Sequence, residues 1–287
     1  IKPSATLAVT AKAKELKQAG HDVVSFGAGE PDFDTPGPIK QAARDALAQG
    51  LTKYQPTPGS PEARQAVAGY MNERFGYDFT SENVLISCGG KHALYLAFMA
   101  LIDPGDEVLL PAPYWVSYPQ QAQLAGGSVK EIQAGPEQDF RITPDQLEAA
   151  ISERSKVLVI NSPSNPTGAM YAADELRALG EVIEKHPGLI VFSDEIYERL
   201  VYDDNQFASF AAVNPALADR TVTFNCLSKT YAMTGWRVGF TIPDAALIKA
   251  MGSMQGQMTS NITSFCMPAI RSEEHTSELQ SPSAISY

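Results

Sequence analysis

Side chains able to take part in chemistry follow three short apolar runs of the sequence. These side chains are Asn165, Asp194, Tyr197, Lys229 and Arg237. A lysine amine can act as a nucleophile or a base, a carboxylate can hold a cation, and a guanidinium can bind phosphate through two hydrogen bonds. An Asn-Pro turn, a surface carboxylate or a solvated lysine would each explain one of these groups alone. The ordered combination is improbable by chance and indicates a functional site.

A glycine turn precedes one long apolar segment. Residues 87–91 read Ser-Cys-Gly-Gly-Lys, and residues 92–102 are nearly continuously apolar. Free backbone amides and the positive end of the helix dipole make the start of such a helix suitable for a phosphate, although an ordinary glycine turn explains the pattern equally well. Nucleotide-binding motifs do not fit, because Leu85 stands at the first glycine of a P-loop and Asp32 interrupts GxGxxG.

The elements that would position these groups alternate along the chain. Apolar spacing predicts helices near residues 39–47 and 63–71, the second capped by Ser60, and Thr143 opens another helix through a capping box. Short apolar runs predict strands at residues 84–86, 107–110, 157–160, 189–192 and 221–224. This alternation predicts an α/β fold with a mostly parallel sheet and helices on both faces. Ligands of such sheets lie beyond the carboxyl ends of the strands, where the polar groups fall.

The composition argues against several classes of function. The 287-residue chain has 33 acidic and 22 basic residues, a net charge of −11 and no basic cluster, so nucleic acid and anionic membranes are not expected partners. Its three cysteines and four histidines show neither disulfide nor metal-ligand spacing. The first twenty residues contain no apolar run with the length of a signal-peptide core or a membrane span. We therefore expect a cytoplasmic protein without a metal site.

Six sequence blocks, taken in order, give the chain a specific resemblance. They read GEPDFDTP, GGK, PYWVSYP, NPTG, SDEIY and SK followed by MTGWRVG. From about Lys2 to about Ile270 the chain resembles the fold-type I aminotransferases of the aspartate aminotransferase group, above all their bacterial branch. This resemblance implies a three-layer α/β/α large domain that binds pyridoxal phosphate and transfers an amino group from an amino acid to a 2-oxo acid.

The resemblance assigns roles to the residues around the cofactor ring. Lys229 would carry pyridoxal phosphate as a Schiff base and act as the base that moves the substrate α-proton. Asp194 would pair with the pyridine nitrogen and keep it protonated. Tyr197 and Asn165 would hydrogen-bond the phenolic oxygen of the ring, and Trp115 would pack against the ring.

The phosphate of the cofactor has its own expected partners. Within one chain the resemblance implies side-chain or backbone contacts from Arg237, Gly89, Gly90, Lys91 and Ser228. Tyr54 matches a tyrosine that reaches the phosphate of the neighbouring subunit. This match implies that the full-length protein is a homodimer whose active site needs both subunits.

Substrate recognition is expected on the same side of the sheet. Gly29 matches a backbone position close to the substrate carboxylate, and Lys91 matches a cation that binds the distal carboxylate of aspartate or glutamate. Trp115 and Asn165 would also face the substrate. We therefore favour aspartate with 2-oxoglutarate, while prephenate or aromatic acceptors, and a Lys91 that serves only the phosphate, stay open.

The resemblance also divides the chain. Residues 1–38 would belong to a small domain that is mostly missing, and residues 39–270 would form the large cofactor-binding domain, incomplete at its C-terminal end. Residues 271–287 depart from the family, and their RSEEHTSELQS run resembles a translated sequencing adapter, so we expect a foreign or disordered tail. A chain of this kind is expected to expose apolar surface and to transaminate weakly or not at all.

Two other functions stay open. A carbon-sulfur lyase or an acyltransferase can use the same cofactor, although Lys91 and the block around Trp115 argue against both. A non-catalytic regulator module would bind pyridoxal phosphate without turnover and would need an attached DNA-binding domain.

Overall fold

One mixed sheet forms the centre of the molecule. The structure, a computed structural model, describes residues 5–25, 27, 29–242 and 244–271; of the expected tail, residues 272–287 lie outside this range. Within the described residues the strands are β1 (Leu85–Ser87), β2 (Glu107–Ala112), β3 (Ser128–Gln133), β4 (Ser155–Asn161), β5 (Ile190–Asp194), β6 (Thr221–Cys226) and β7 (Gly239–Ile242). Their order across the sheet is β1-β7-β6-β5-β4-β2-β3.

Most of the strands are parallel, as the sequence predicts. Strands β3, β2, β4, β5 and β6 run in one direction, and β7 pairs antiparallel with both β6 and β1. The five predicted strands are confirmed, with small differences at their ends. The sequence does not predict β3 or β7, because β3 is an edge strand in which only Ile132 is buried and β7 is only four residues long.

Helices cover both faces of the sheet. In the described part of the chain they are α1 (Ala5–Gln18), α2 (Gly37–Ala48), α3 (Pro61–Phe75), α4 (Gly90–Leu101), α5 (Ser117–Leu124), α6 (Pro144–Ala150), α7 (Ala173–Glu184), α8 (Phe210–Val213), α9 (Leu227–Thr230), α10 (Ala245–Met258) and α11 (Met267–Arg271). Short 3-10 helices occupy Ser81–Asn83, Pro136–Gln138, Pro215–Arg220, Thr234–Trp236 and Ser264–Cys266.

The core lies between the sheet and these two helix layers. Successive side chains of a strand point to opposite faces. Val108 and Val157 pack in one apolar cluster with α4, α5 and α10, whereas Leu109 and Leu158 pack in another with α6 and α7. A third cluster joins α2, α3 and α11 to the β1 and β7 end of the sheet. The predicted three-layer α/β/α architecture is therefore confirmed.

Both helix starts that were predicted from capping residues are confirmed. Ser60 Oγ accepts a 3.2 Å hydrogen bond from the Ala63 amide at the start of α3. At the start of α6, Thr143 and Gln146 form the reciprocal capping box. These bonds satisfy amides that have no partner inside the helix.

The register of the central strands determines where the polar groups meet. Asn161 at the end of β4 pairs with Asp194 at the end of β5, and Asp194 pairs with Phe224 of β6. Because these strands are parallel, the segments that follow them leave the sheet at the same edge. The turns that carry Asn165, Asp194 and Lys229 are therefore neighbours.

The sequence also led to expectations about membrane spans, metal sites and domain boundaries. None of the described helices is long and apolar enough to cross a membrane. The described residues also contain no group of three or more His, Cys, Asp or Glu side chains that could hold a metal ion. The boundary between a small domain at residues 1–38 and a large one from residue 39 stays a prediction.

Candidate active site

Asp194 is a buried carboxyl at the end of β5, with 2% of its surface exposed. The Tyr118 hydroxyl donates a 2.6 Å hydrogen bond to Oδ2, and the Ile196 amide donates a 3.3 Å bond to Oδ1. Burial raises the pKa of Asp194 to about 6, although both hydrogen bonds favour the charged form. Both donors are neutral, so a cation beside this carboxyl would stabilise its charged form further.

Tyr197 and Asn165 contact each other beyond the ends of β5 and β4. The Asn165 side-chain amide donates a 3.2 Å hydrogen bond to the Tyr197 hydroxyl. The Asn165 backbone amide donates to Oδ1 of Asn161 at 2.8 Å, and Nδ2 of Asn161 donates to the Asp194 carbonyl at 3.0 Å. Burial raises the pKa of Tyr197, while the bond from Asn165 lowers it. Asn161 thus links Asn165 to Asp194.

Lys229 lies in α9, which directly follows β6. Its Nζ donates to the Gly29 carbonyl and lies 6.0 Å from the centre of the Tyr197 ring. Burial lowers the pKa of Lys229, and the nearby Cys226 and Glu30 oppose this shift. A lowered pKa increases the fraction of neutral amine near pH 7, which is the form able to act as a nucleophile or a base.

The glycine turn and Arg237 lie against each other. Arg237 Nη1 donates to the Thr234 carbonyl at 2.9 Å, and Nη2 donates to the Cys88 carbonyl at 3.4 Å. Gly89 has a φ of 84°, and a Cβ added to it would lie 2.4 Å from Arg237 Nη2. Glycine is therefore required at this position both for the backbone conformation and for the approach of the guanidinium.

The start of α4 provides backbone amides beside that guanidinium. Gly90 and Lys91 are its first two residues, and amides at these positions have no acceptor inside a helix. The third predicted amide, that of Gly89, already donates to the Ser87 carbonyl at 2.6 Å. Gly239 of β7 lies directly against the turn, because a Cβ added there would lie 2.4 Å from the Gly90 nitrogen.

Lys91 and Trp115 form a second contact at this end of the sheet. Lys91 Nζ lies 4.8 Å from the centre of a Trp115 ring, within the range of a cation–π interaction. The Trp115 ring meets the Tyr118 ring edge to face, with centroids 5.3 Å apart. Burial lowers the pKa of Lys91, and the Arg237 cation lowers it as well. The structure therefore brings Lys91 and Trp115 next to the tyrosine that contacts Asp194.

Three other predicted residues have different surroundings. Gly29 joins the site through its contact with Lys229. Ser228 is buried beside Cys226, and its contact with a phosphate stays a prediction. The Tyr54 side chain is 89% exposed and lies outside the buried cluster, so its contact with a neighbouring subunit also stays a prediction.

Three residues of the site are missing from the sequence prediction. Tyr118, Asn161 and Gly239 each lie within or beside a recognised sequence block. Tyr118 follows Trp115 at a spacing that places both on one face of a helical turn, a signal that would have identified it. The roles of Asn161 and Gly239 depend on contacts with other strands, for which the sequence has no local signal.

The residues present fit pyridoxal phosphate. A helix start opened by glycines, with Arg237 against it, suits the phosphate group. Asp194 is buried with neutral donors only, which suits a protonated ring nitrogen. The Lys229 amine, whose pKa is lowered by burial, suits an aldehyde.

Known sequences are similar to most of this chain. The sequence model of the family described as aminotransferase class I and II matches residues 21–280. The aspartate/prephenate aminotransferase of Cereibacter sphaeroides is 51% identical over 261 residues, which are 91% of this chain and 65% of that protein. The aspartate aminotransferase of Geobacillus stearothermophilus is 49% identical, over 93% of this chain and 68% of that protein. The chain thus spans about two thirds of the length of these curated relatives.

Solved structures agree as well. The aspartate aminotransferase from Thermus thermophilus with maleate superposes with a TM-score of 0.92 at 45% identity, covering 98% of this chain and 72% of that one. The aspartate aminotransferase from Rhizobium meliloti gives a TM-score of 0.89 at 38% identity, covering 98% and 74%. At this similarity the α/β fold is shared.

Proposed function

Because the chain belongs to the class I and II aminotransferase family, we propose that it is the cofactor-binding part of an enzyme that moves an amino group between an amino acid and a 2-oxo acid. The position of Lys229 carries this proposal. Its amine lies 6.0 Å from the Tyr197 ring, at the same edge of the sheet as the buried Asp194. Lys229 would hold pyridoxal phosphate through a covalent bond to this amine.

Lys229 acts as both the attachment point and the base. When bound, pyridoxal phosphate supplies an aldehyde that condenses with amines and a ring that takes up electrons from the adjacent carbon. Burial lowers the pKa of Lys229, which would favour the amine form that holds the aldehyde. The Lys229 amine would also serve as the base that takes the substrate α-proton and returns a proton to the product.

Asp194 and its neighbours orient and polarise the ring. The Asp194 carboxylate would hold a protonated ring nitrogen, and a cation there would lower the carboxyl pKa from its value of about 6. Tyr118 holds the carboxyl in place. Tyr197 and Asn165 contact each other and would share the phenolic oxygen of the ring.

The phosphate would lie between Arg237 and the start of α4. The amides of Gly90 and Lys91 and the guanidinium of Arg237 supply donors around one position, with Gly89 keeping that position open. Ser228, which is adjacent to Lys229 in α9, would add a hydroxyl.

We assign the substrates to the dicarboxylic class. Lys91 provides a cation beside Trp115, and the relatives are named for aspartate. The Thermus thermophilus relative was solved with maleate, a dicarboxylate. Gly29 would lie near the α-carboxylate, with Trp115 and Asn165 facing the substrate. Aspartate with 2-oxoglutarate is the proposed pair, and prephenate is the alternative acceptor that the name of one relative favours.

We also propose that the functional unit is a homodimer. Tyr54 matches the tyrosine that contacts a neighbouring subunit in the family, and at 89% exposure its side chain is accessible to such a partner. In a dimer it would donate a hydrogen bond to the phosphate held by the neighbouring subunit.

Borohydride trapping tests the proposed attachment. The full-length protein is loaded with pyridoxal phosphate, reduced, digested and mapped, and the cofactor is expected on Lys229. Without reduction, aspartate is expected to bleach the visible absorbance of the bound cofactor as the amino group is transferred.

Two lysine variants complete the test, one at the proposed attachment point and one as its matched control. Lys229→Ala is expected to abolish both trapping and bleaching, whereas Lys185→Ala, at the exposed end of α7, should change neither. A label on a different lysine would refute the assignment. Visible colour that no amino acid bleaches would indicate a non-catalytic binding module instead.

A further inference from the structure

Two buried acids lie on the same short segment as Asp194 and Tyr197. We call residues 194–199 the Asp194 turn. Glu195 and Glu198 of this turn are each 2% exposed, and the proposed chemistry uses neither of them. Burying a carboxyl is unfavourable unless it is paired or hydrogen-bonded, so their contacts need an explanation.

Glu198 connects the Asp194 turn to helix α3. Its Oε1 accepts a hydrogen bond from the Tyr70 hydroxyl, and its Oε2 pairs with Arg74 Nε at 3.1 Å. Arg199 completes the group, because its Nε lies 3.9 Å from Glu198 Oε1 and donates to the Tyr70 hydroxyl at 3.0 Å. Removing one partner would leave the buried Glu198 charge poorly compensated, so breaking this connection is unfavourable.

Glu195 connects the other end of the turn to the loop before α8. Its Oε1 accepts hydrogen bonds from the hydroxyls of Ser193 and Ser209, both at 2.8 Å, and from the Phe210 amide at 3.2 Å. Its Oε2 is buried without a hydrogen-bond partner among the described residues. Burial raises the pKa of Glu195 to about 8, so near pH 7 this side chain is mainly an uncharged acid.

Tyr197 lies between these two connections. The Glu198 amide donates to the Glu195 carbonyl at 3.0 Å and closes the turn, while the Glu195 amide donates to the Phe224 carbonyl of β6 at 2.9 Å. The direction of the Tyr197 side chain therefore depends on where both acids are held. We propose that Glu195 and Glu198 are positioning residues that hold the Tyr197 hydroxyl and the Asp194 carboxyl in place against the cofactor ring.

This inference rests on the proposed function and makes a spectroscopic prediction. A hydrogen bond from Tyr197 to the phenolic oxygen of the cofactor would stabilise negative charge there and make Lys229 Nζ, once bonded to the cofactor, less basic. A loosened Tyr197 should therefore raise the pH midpoint at which the visible absorbance of the bound cofactor changes. A purely structural role of the two acids would not move this midpoint.

The test uses the full-length protein loaded with pyridoxal phosphate. Glu198→Ala and the milder Tyr70→Phe, which removes one hydroxyl donor, are expected to raise the absorbance midpoint by about half a pH unit or more. Glu195→Ala is expected to do the same. Glu195→Gln keeps an acceptor for the three donors and is uncharged, so it is expected to retain the wild-type midpoint.

The matched control is another buried, ion-paired acid far from the site. Glu107, at the amino end of β2, is 6% exposed, pairs with Arg154 and accepts a 2.6 Å bond from the Ser152 hydroxyl. Glu107→Ala is expected to lower the melting temperature without moving the absorbance midpoint. A Glu198→Ala variant that behaves like Glu107→Ala, together with an unmoved midpoint in Tyr70→Phe, would overturn the inference.

Borohydride mapping separates the two levels of failure. Wild-type protein without a label on Lys229 would overturn the proposed function and this inference together. A labelled Lys229 with unmoved midpoints in all the variants would overturn only the positioning role.

Discussion

The hydroxyl of Tyr118 donates a 2.6 Å hydrogen bond to Oδ2 of Asp194. Burial raises the pKa of Tyr118 well above its usual value and raises that of Asp194 to about 6. The proton therefore stays on the tyrosine, and the carboxyl accepts the hydrogen bond. This contact connects α5 to the end of β5. It therefore determines the direction of the carboxyl that would meet the cofactor ring.

Replacing Tyr118 tests that contact. Loss of a hydrogen bond to a charged group costs about 1.5–3 kcal/mol, so Tyr118→Phe is expected to raise the dissociation constant of pyridoxal phosphate by at least about tenfold. Equilibrium dialysis of the full-length protein measures this constant. Tyr171→Phe is the control, because it also removes a buried hydroxyl, the acceptor of a 2.9 Å bond from the Ile142 amide. Equal losses in both variants would contradict the specific role of Tyr118.

Glycine at position 89 has a separate test. Gly89→Ala would place a Cβ 2.4 Å from Arg237 Nη2 at a φ of 84°, so the guanidinium must move. We expect weaker cofactor binding, by about tenfold or more, measured by the same dialysis. Gly105→Ala is the control, because Gly105 also has a positive φ, 105°, but no atom lies within 4 Å of an added Cβ. It should cost backbone strain alone and leave cofactor affinity unchanged; a similar loss of affinity would argue against the Arg237 contact.

The acidity of Lys229 should respond to Glu30. Glu30 raises the pKa of Lys229 and accepts a 2.7 Å hydrogen bond from the Thr234 hydroxyl. Glu30→Gln removes a negative charge that favours the protonated amine, so the pKa of Lys229 is expected to fall further. The pH profile of acetylation of Lys229 in cofactor-free protein at low salt measures it. Asp34→Asn, whose carboxylate pairs with Lys40, should leave the profile in place, and an upward shift in Glu30→Gln would contradict the prediction.

Glu195 should make stability depend on pH. Its pKa of about 8 in the folded protein lies above its ordinary value of 4.5, so the native state keeps a proton that the unfolded state releases. This stabilisation is complete below pH 4.5 and is lost as the pH rises through about 8. Between these values the free energy of unfolding of the wild type should fall, relative to that of Glu195→Gln, by up to about 1.4 kcal/mol per pH unit. Denaturant unfolding across this range measures the difference, and parallel curves would contradict the buried uncharged acid.

Substrate preference should depend on the Lys91 cation. Lys91→Gln removes the charge proposed to bind a distal carboxylate, and an interaction of about 1.5–3 kcal/mol corresponds to a loss of roughly tenfold or more in kcat/KM for aspartate. An amino donor without a second carboxylate, such as phenylalanine, should lose little. Steady-state assays with both donors provide the comparison. Equal losses for both donors, with weaker cofactor binding, would show that Lys91 serves the phosphate alone.

Local patterns predicted much of the fold and part of the site. Strands β4, β5 and β6 are buried apolar runs bounded by turn residues, and such runs are visible without any tertiary information. The Ser60 and Thr143 caps are equally local, since the cap and its amide lie within three residues. Strand β7 is different, because it follows the short Thr234–Trp236 helix and its four residues pair with β1 and β6, which come from distant parts of the chain.

The amino-acid sequence by itself determined which chemical groups follow which strands: the Lys229 amine after β6, the Asp194 carboxyl at the end of β5 and the Asn165 amide after β4. Only the tertiary structure decided their environments. The pKa values of Asp194 and Glu195 are raised by burial under elements that are remote in the chain, and Tyr118 reaches Asp194 because α5 packs against the sheet. Residue type and spacing are local properties, whereas desolvation and hydrogen bonding depend on which distant segments the fold brings into contact.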